Sequence, residues 1–329
     1  MMPKIVVIGA NSFSGAHFVD LLLENKHNDV VGIDRTPKCP LFLPYLRHSQ
    51  ERFTYHDLDL NTNNDAIVEL LVATKPDYIV NFAALSEVAP SWQHPEQWYR
   101  TNVVALTKMI NGIKALSGLK RYVHISSPEV YGTCEGVVGE DAPFNPSTPY
   151  AASKAAADMS LKTFFKNFAF PVVFMRATNV YGPHQQLFKI IPRTVIFAKL
   201  GKRIPLHGGG VAVKSYIHIK DVSRGYLAGM LLGRPGEIYH LSPDGGVAVK
   251  DAVQMICNEL GQQFSDVVEV VEERLGQDKA YVIDSTKARA EFGWYPVISL
   301  AQGMKEVVDW VEKYWSEIQI QPLDYIHQA

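Results

Sequence analysis

The sequence predicts an α/β fold, a doubly wound parallel sheet with a smaller α+β part attached. Three observations carry this. Short apolar runs alternate with amphipathic helical stretches through the first half of the 329 residues. A glycine-bearing turn, Gly9-Ala-Asn-Ser-Phe-Ser-Gly15, joins the first run to the first helical stretch. After Gly182 the alternation stops, and Pro, Gly and His cluster. Strand–helix alternation implies parallel strands covered on both faces, with crossovers of one hand.

In order, residues 4–8 read as a buried strand, 15–24 as a helix and 30–34 as the second strand. A helix at 65–74 precedes a strand at 78–82, and one long helix at 95–116 precedes a strand at 121–126. Residues 150–167 are helical, and 172–176 form the next strand. Later come a helix at 251–260, a strand at 267–271 and a final helix at 300–315. We assign residues 1–181 and 215–241 to the first domain, and 182–214 and 242–329 to the second.

Composition narrows the function classes. A net charge of −2 gives no electrostatic case for nucleic acid or an anionic membrane. Three scattered cysteines fit a reducing compartment and lack metal-ligand spacing. His184, His207, His218 and His240 also lack it, so no metal is expected. No apolar run approaches the ~20 residues of a membrane-spanning helix, and the opening runs straight into a strand. A soluble cytoplasmic protein is expected.

The turn after the first strand points to a dinucleotide. Gly9 and Gly15 let the backbone approach a pyrophosphate, whose charge sits at the helix start with Asn11, Ser12, Phe13 and Ser14 around it. Ser12 stands where a GxxGxxG pattern has its middle glycine. Asp34 ends the second strand, 19 residues after Gly15, where a carboxylate accepts ribose hydroxyls and repels a 2′-phosphate. That favours NAD over NADP, although Arg35 follows it. Asp59 and Leu60 are placed at the adenine edge, with a helix-capping role for Asp59 left open.

Tyr150 and Lys154 lie one helical turn apart on one face. An ammonium beside a phenol favours the phenolate and lowers a reference pKa of about 10. Such a tyrosine can take the proton of a sugar hydroxyl.

With these pieces in order, the chain resembles the extended short-chain dehydrogenase/reductase family along nearly its whole length. Asn81-Phe-Ala-Ala-Leu-Ser86 is similar to the family's loop under the nicotinamide, which assigns Phe82, Ala83, Ala84 and Ser86 to the cofactor. Thr101-Asn102-Val103 is similar to its structural asparagine segment, and Asn102 is assigned with them. Within the family the chain most resembles nucleotide-sugar 4,6-dehydratases of the dTDP-glucose type. The carrying stretches are Ser127-Pro-Glu-Val-Tyr-Gly132, Asn145-Pro-Ser-Thr-Pro-Tyr-Ala-Ala-Ser-Lys154, Arg176-Ala-Thr-Asn-Val-Tyr-Gly-Pro183 with Lys189-Ile-Ile-Pro192, and Arg274-Leu-Gly-Gln-Asp-Lys-Ala-Tyr-Val-Ile-Asp284.

The resemblance implies NAD-dependent oxidation at C4, loss of water across C5–C6 and return of the hydride to C6. It makes Tyr150 the base, Lys154 its tuner and the residue that holds the nicotinamide ribose, so that both also count as cofactor-binding, Ser127 the partner of the C4 oxygen and Glu129 the base at C5. It places Asn179, Lys189, Lys214 and Arg274 along the diphosphate of a nucleotide sugar, with Ser86, Glu87 and Pro128 at the sugar. Pro128 departs from the pattern, because an aspartate there protonates the leaving C6 hydroxyl and proline cannot. Lys214 replaces an arginine, and the loop carrying Glu87 is more acidic than usual. The resemblance also implies a homodimer through a four-helix bundle. UDP-glucuronate decarboxylase, 4-epimerase and a non-catalytic NAD-binding sensor remain the alternatives.

Overall fold

The structure, a computed structural model, describes residues 2–133, 136–272 and 282–327. Its centre is a seven-stranded parallel sheet of β1 (Lys4–Ile8), β2 (Asp29–Asp34), β3 (Phe53–Asp57), β4 (Tyr78–Asn81), β5 (Arg121–Ile125), β6 (Val172–Ala177) and β7 (Ile238–Leu241). The spatial order is β3-β2-β1-β4-β5-β6-β7. Strand order therefore reverses between β1 and β4, where Val6 lies between Val31 and Ile79. Open α/β sheets bind ligands at such a switch point, beyond the carboxyl ends of the strands.

Two-residue alternation sends β1 side chains into two cores. Ile5 and Val7 pack with Phe18, Val19 and Leu22 of α1 (Phe13–Glu24) and with Tyr226 and Met230. Val6 and Ile8 pack with Ile67 and Leu71 of α2 (Asn64–Thr74), with Leu106, Met109 and Ile110 of α3 (Leu106–Ile113), and with Leu161 of α4 (Pro149–Phe168). Beyond the sheet, α5 (Ile190–Lys199), α6 (Ile219–Leu232), α7 (Val249–Glu259) and α8 (Leu300–Lys313) follow. Ile191, Val195, Ala252, Ile256, Val307 and Val311 share a third core. Tyr226 and Met230 belong to α6.

Local chemistry explains the helix that carries Tyr150. The Thr148 side chain caps α4 by accepting from the Ala151 amide, and Pro149 pre-sets the first turn. The long helix expected at 95–116 is instead three pieces. A wide π turn, Arg100–Ala105, separates Pro95–Tyr99 from α3. The sequence reading also lacked β3, an edge strand, and the strand expected at 267–271 begins after a helical turn, Phe264–Val267. No helix among the described residues is long and apolar enough to cross a membrane.

Candidate functional site

Two adjoining clefts open over the carboxyl ends of the strands, and Ser12, Phe82 and Ala84 line both. The first cleft is walled by Gly9, Asp34, Arg35, Asp59, Leu60 and Ala83. Gly9 adopts φ +81°, and a Cβ there would stand 2.6 Å from the Ala83 nitrogen. A Cβ on Gly15 would meet the Gly9 carbonyl at 2.0 Å. These two glycines are sterically required. The middle position is not: the Ser12 hydroxyl caps α1 by accepting from the Gly15 amide at 3.1 Å, and donates to the Gly9 carbonyl at 2.6 Å. Serine at that position thus closes the turn rather than degrading it.

Asp34 is buried, with its oxygens accepting from the Asn11 and Thr36 amides at 2.8 and 2.7 Å. Burial pushes its carboxyl up, against the backbone donors and the Arg35 charge. Arg35 pairs with Asp59 at 3.0 Å, and the other Asp59 oxygen accepts the Asn61 amide at 2.6 Å. The cleft fits the adenosine half of a dinucleotide: a narrow glycine turn, a carboxylate at the second strand end and no side chain filling the cradle.

Three residues assigned to the cofactor, Gly15, Asn11 and Asn102, line neither cleft; Gly15 has no side chain to offer, and the other two use theirs elsewhere. The Asn11 side chain donates to the Thr36 carbonyl and accepts from the Tyr45 hydroxyl. Asn102, in the π turn, donates to the Leu85 carbonyl and the Ser153 hydroxyl, both at 2.9 Å, and accepts the Leu85 amide at 2.9 Å. Their side-chain amides are thus engaged within the protein. Both hold loops in place, and Asn102 ties the loop before Ser86 to α4.

The second cleft holds Phe13, Ser14, Ser86, Glu87, Ser127, Pro128, Glu129, Tyr150, Lys154, Asn179 and Lys189. Ser127 lies two residues beyond β5 and caps a short 3₁₀ turn, Pro128–Tyr131, accepting from the Glu129 amide at 3.2 Å. Burial raises the Tyr150 phenol, the Glu129 carboxylate raises it further, and a hydrogen bond with Ser127 opposes them. Lys154 donates instead to the Ile125 carbonyl at 2.8 Å. Burial pulls its pKa down to about 8, opposed by Asp158. The expected acidified phenol is thus not what these side chains produce alone: burial and the Glu129 charge raise it, and the Lys154 ammonium is bonded to the Ile125 carbonyl.

Beneath the pair lies a buried polar cluster. Tyr150, Lys154 and Asp158 recur at four-residue spacing along one face of α4. Asp158 accepts from Ser126 at 2.7 Å and Arg176 at 2.6 Å, and His124 lies 3.5 Å away. Burial alone would raise the Asp158 carboxyl, but the charges of Arg176 and His124 and these hydrogen bonds hold it below its usual range. This anchor fixes the rotation of α4, and so the aim of Tyr150 and Lys154.

At the outer rim, Lys189 donates to both oxygens of Glu87, at 2.7 and 2.9 Å. A third cavity, lined by Asn179 and Lys214, adjoins this rim and also contains Phe188, Arg193 and His207. Arg193 and Phe188 were not singled out from the sequence. Neither belongs to a motif, and only the fold brings them beside Lys214. Arg274 lies outside the described residues. A larger cavity of about 640 Å³ lies elsewhere, between α1, residues 40–47 and α6, where Arg47 pairs with Asp20 and Glu24, Lys220 with Glu306 and Arg224 with Asp221. Among the described residues no group of three His, Cys, Asp or Glu side chains could hold a metal.

The chain is similar to known proteins along most of its length. The profile of the GDP-mannose 4,6 dehydratase family matches residues 6–307. A dTDP-glucose 4,6-dehydratase of Streptomyces antibioticus is 30% identical over 97% of this chain and 96% of its own. A trifunctional UDP-glucose 4,6-dehydratase/epimerase/reductase of Arabidopsis thaliana is 28% identical over 96% of this chain, which spans only 49% of that protein's length. The crystal structure of the dTDP-glucose 4,6-dehydratase DesIV of Streptomyces venezuelae, with NAD bound, superposes with a TM-score of 0.88 at 29% identity, covering 95% of this chain and 98% of that one. A UDP-glucuronic acid 4-epimerase of Bacillus cereus, bound to UDP-glucuronic acid and NAD, gives 0.86 at 26% identity, covering 94% and 99%.

Proposed function

The chain belongs to the GDP-mannose 4,6 dehydratase family of extended short-chain dehydrogenases/reductases, and from that premise we propose that it is an NAD-dependent nucleotide-sugar 4,6-dehydratase. One observation carries the reading: Glu129 faces the same cleft as Tyr150 and is close enough for its charge to raise the phenol. A 4-epimerase needs no carboxylate there; removal of the C5 hydrogen does.

NAD, when bound, accepts the C4 hydrogen as hydride and later returns it at C6. The chain's residues do the proton work. Tyr150 takes the C4 hydroxyl proton, helped by the Lys154 ammonium, and Ser127 donates to the C4 oxygen. Glu129 takes the C5 proton that the neighbouring ketone acidifies. The departing C6 hydroxyl needs a proton that Pro128 cannot give, and Glu129 carries the one it has just removed; when the hydride is returned at C6, Glu129 passes a solvent proton to C5, and the proton held by Tyr150 goes to solvent. The phenol is raised by burial, so its ionisation would draw on positive charge nearby, which Lys154 and a bound nicotinamide ring would supply. Gly9, Ser12, Phe13, Ser14, Asp34, Arg35, Asp59, Leu60, Phe82, Ala83, Ala84 and Ser86 are assigned to NAD; Asn179, Lys189, Lys214 and Arg274 are assigned to the diphosphate. Residues 1–181 with 215–241 serve the cofactor and the rest serves the sugar nucleotide. Exposed Val104 and Met159, on the π turn and on α4, support a homodimer through these helices.

Pro128 favours a second reading, decarboxylation of a nucleotide uronate, which needs no acid at that position. Against it stand the Lys189-Ile-Ile-Pro192 and Arg274-Leu-Gly-Gln-Asp-Lys-Ala-Tyr281 stretches, which resemble the dehydratase branch.

The test is mass spectrometry of products after incubation with a panel of nucleoside diphosphate hexoses, N-acetylhexosamines and UDP-glucuronate. Loss of one water identifies the dehydratase and its substrate. Loss of carbon dioxide identifies the decarboxylase, and an unchanged mass with inverted C4 identifies an epimerase.

A further inference from the structure

The segment after α8 crosses the rim of the substrate cleft. Residues 321, 323, 325 and 327 are half-buried while 322, 324 and 326 are exposed, the two-residue alternation of an extended strap. Tyr325 packs edge-on against Phe188 with ring centroids 5.2 Å apart. His327 stacks on Trp98 at 5.3 Å and on His94 at 5.5 Å, and its Nε2 meets the Gln97 amide oxygen at 2.5 Å. The strap therefore bridges the loop before α5 to the Pro95–Tyr99 helix. Between these anchors, Asp324 accepts from Arg193 at 3.0 Å.

Arg193 lines the cavity that holds Asn179 and Lys214. Its guanidinium lies over the Phe197 ring at 4.7 Å, and its buried Nε has no hydrogen-bond partner among the described residues. The Asp324 side chain is 85% exposed. One guanidinium nitrogen on a solvated carboxylate is a weak contact. A diphosphate offers more charge and matches the planar fork of arginine with two parallel hydrogen bonds. Lys189 repeats the pattern nearby, since its ammonium is held by Glu87.

The geometry points to a competition for one cation: Arg193 is a binding residue for the diphosphate of the nucleotide, and Asp324 on the strap occupies it until the nucleotide displaces it. This rests on the nucleotide-sugar reading above and extends it to a residue outside the family motifs. Asp324 acts as an internal anion that screens the site from weaker anions, and the aromatic contacts of Tyr325 and His327 keep it within reach.

Calorimetric titration with dTDP, UDP and GDP tests this on the full chain, on Asp324→Asn, on Arg193→Gln and on the double variant. Asp324→Asn should bind the preferred nucleotide about threefold more tightly, the scale of an exposed ion pair. Arg193→Gln should bind it about tenfold more weakly, the scale of a charged hydrogen bond. The double variant should match Arg193→Gln, because without the cation there is nothing to compete for. If Asp324→Asn binds no more tightly, or its gain persists without Arg193, the competition is overturned while nucleotide binding stands. If the unaltered chain and all variants bind none of the three, the nucleotide-sugar reading falls and the competition with it.

Discussion

The floor of the site and its rim are built on different principles. The floor is made of strand ends and one helix face. Tyr150, Lys154 and Ser127 are buried, and Asp158, Arg176 and Ser126 brace them from beneath. The rim is made of loops and a strap, where Lys189 pairs with Glu87 and Arg193 with the solvated Asp324. The floor is preorganised for proton transfer at fixed atoms. At the rim, each of these two cations is satisfied by a carboxylate of the chain itself, so an anionic ligand enters by exchange. Chemistry needs rigid placement, whereas ligand entry needs contacts cheap enough to break.

The sharpest way to break this contrast is at the floor. Tyr150→Phe should lower kcat by about a hundred- to ten-thousandfold, the range of general acid–base catalysis, while purified protein still carries NAD. Turnover near the unaltered rate would remove Tyr150 from the proton path.

Lys154→Met should abolish turnover too, yet it should stabilise the fold. Burial holds the Lys154 pKa near about 8, below the ordinary 10.5. The unfolded chain therefore binds more protons than the folded one between those values. Stability from this group rises with pH across that window and is lowest below it, where the buried ammonium is carried at a cost. Removing it should add about 1–2 kcal/mol at neutral pH, after the lost bond to the Ile125 carbonyl is counted. Denaturant titrations at neutral pH and near pH 9 check both the gain and the loss of the pH slope.

The glycine turn gives the most discriminating pair and, in Ser12→Gly, the smallest effect. Gly15→Ala places a Cβ against the Gly9 carbonyl and should cost about 1–3 kcal/mol as overpacking. Ser12→Gly, which restores the usual glycine, should cost only a few tenths of a kcal/mol through the weakened cap. Both are read as shifts in denaturation midpoint. Equal costs would contradict the division of labour within the turn.

Much of the floor was legible in the sequence, because its residues sit at fixed distances from strand ends. Gly9–Gly15, Asp34 and the Tyr150/Lys154 pair each follow an element that hydrophobic periodicity locates. Asn102 and Asn11 mark its limit. Asn11 was assigned from the glycine turn and Asn102 from the family resemblance, and neither source could show that their side-chain amides are taken up by the backbone and neighbouring hydroxyls of adjacent loops. The π turn around Asn102 left no mark in an otherwise helical pattern. Lysine tuning of Tyr150 was read from spacing alone, which cannot register how strongly burial acts on both groups. Arg193, Phe188 and the strap were not legible at all, since the contacts that join residues 188–193 to 324–327 exist only once the chain is folded.

The central claim is that Glu129 removes the C5 proton. The most direct measurement is product formation in heavy water, with the position of carbon-bound deuterium read by NMR, for the unaltered chain and Glu129→Gln. The account predicts one deuterium at C5 and loss of one water with the unaltered chain, and neither with Glu129→Gln. Water loss by Glu129→Gln at the unaltered rate, or a dehydrated product without deuterium at C5, would contradict it.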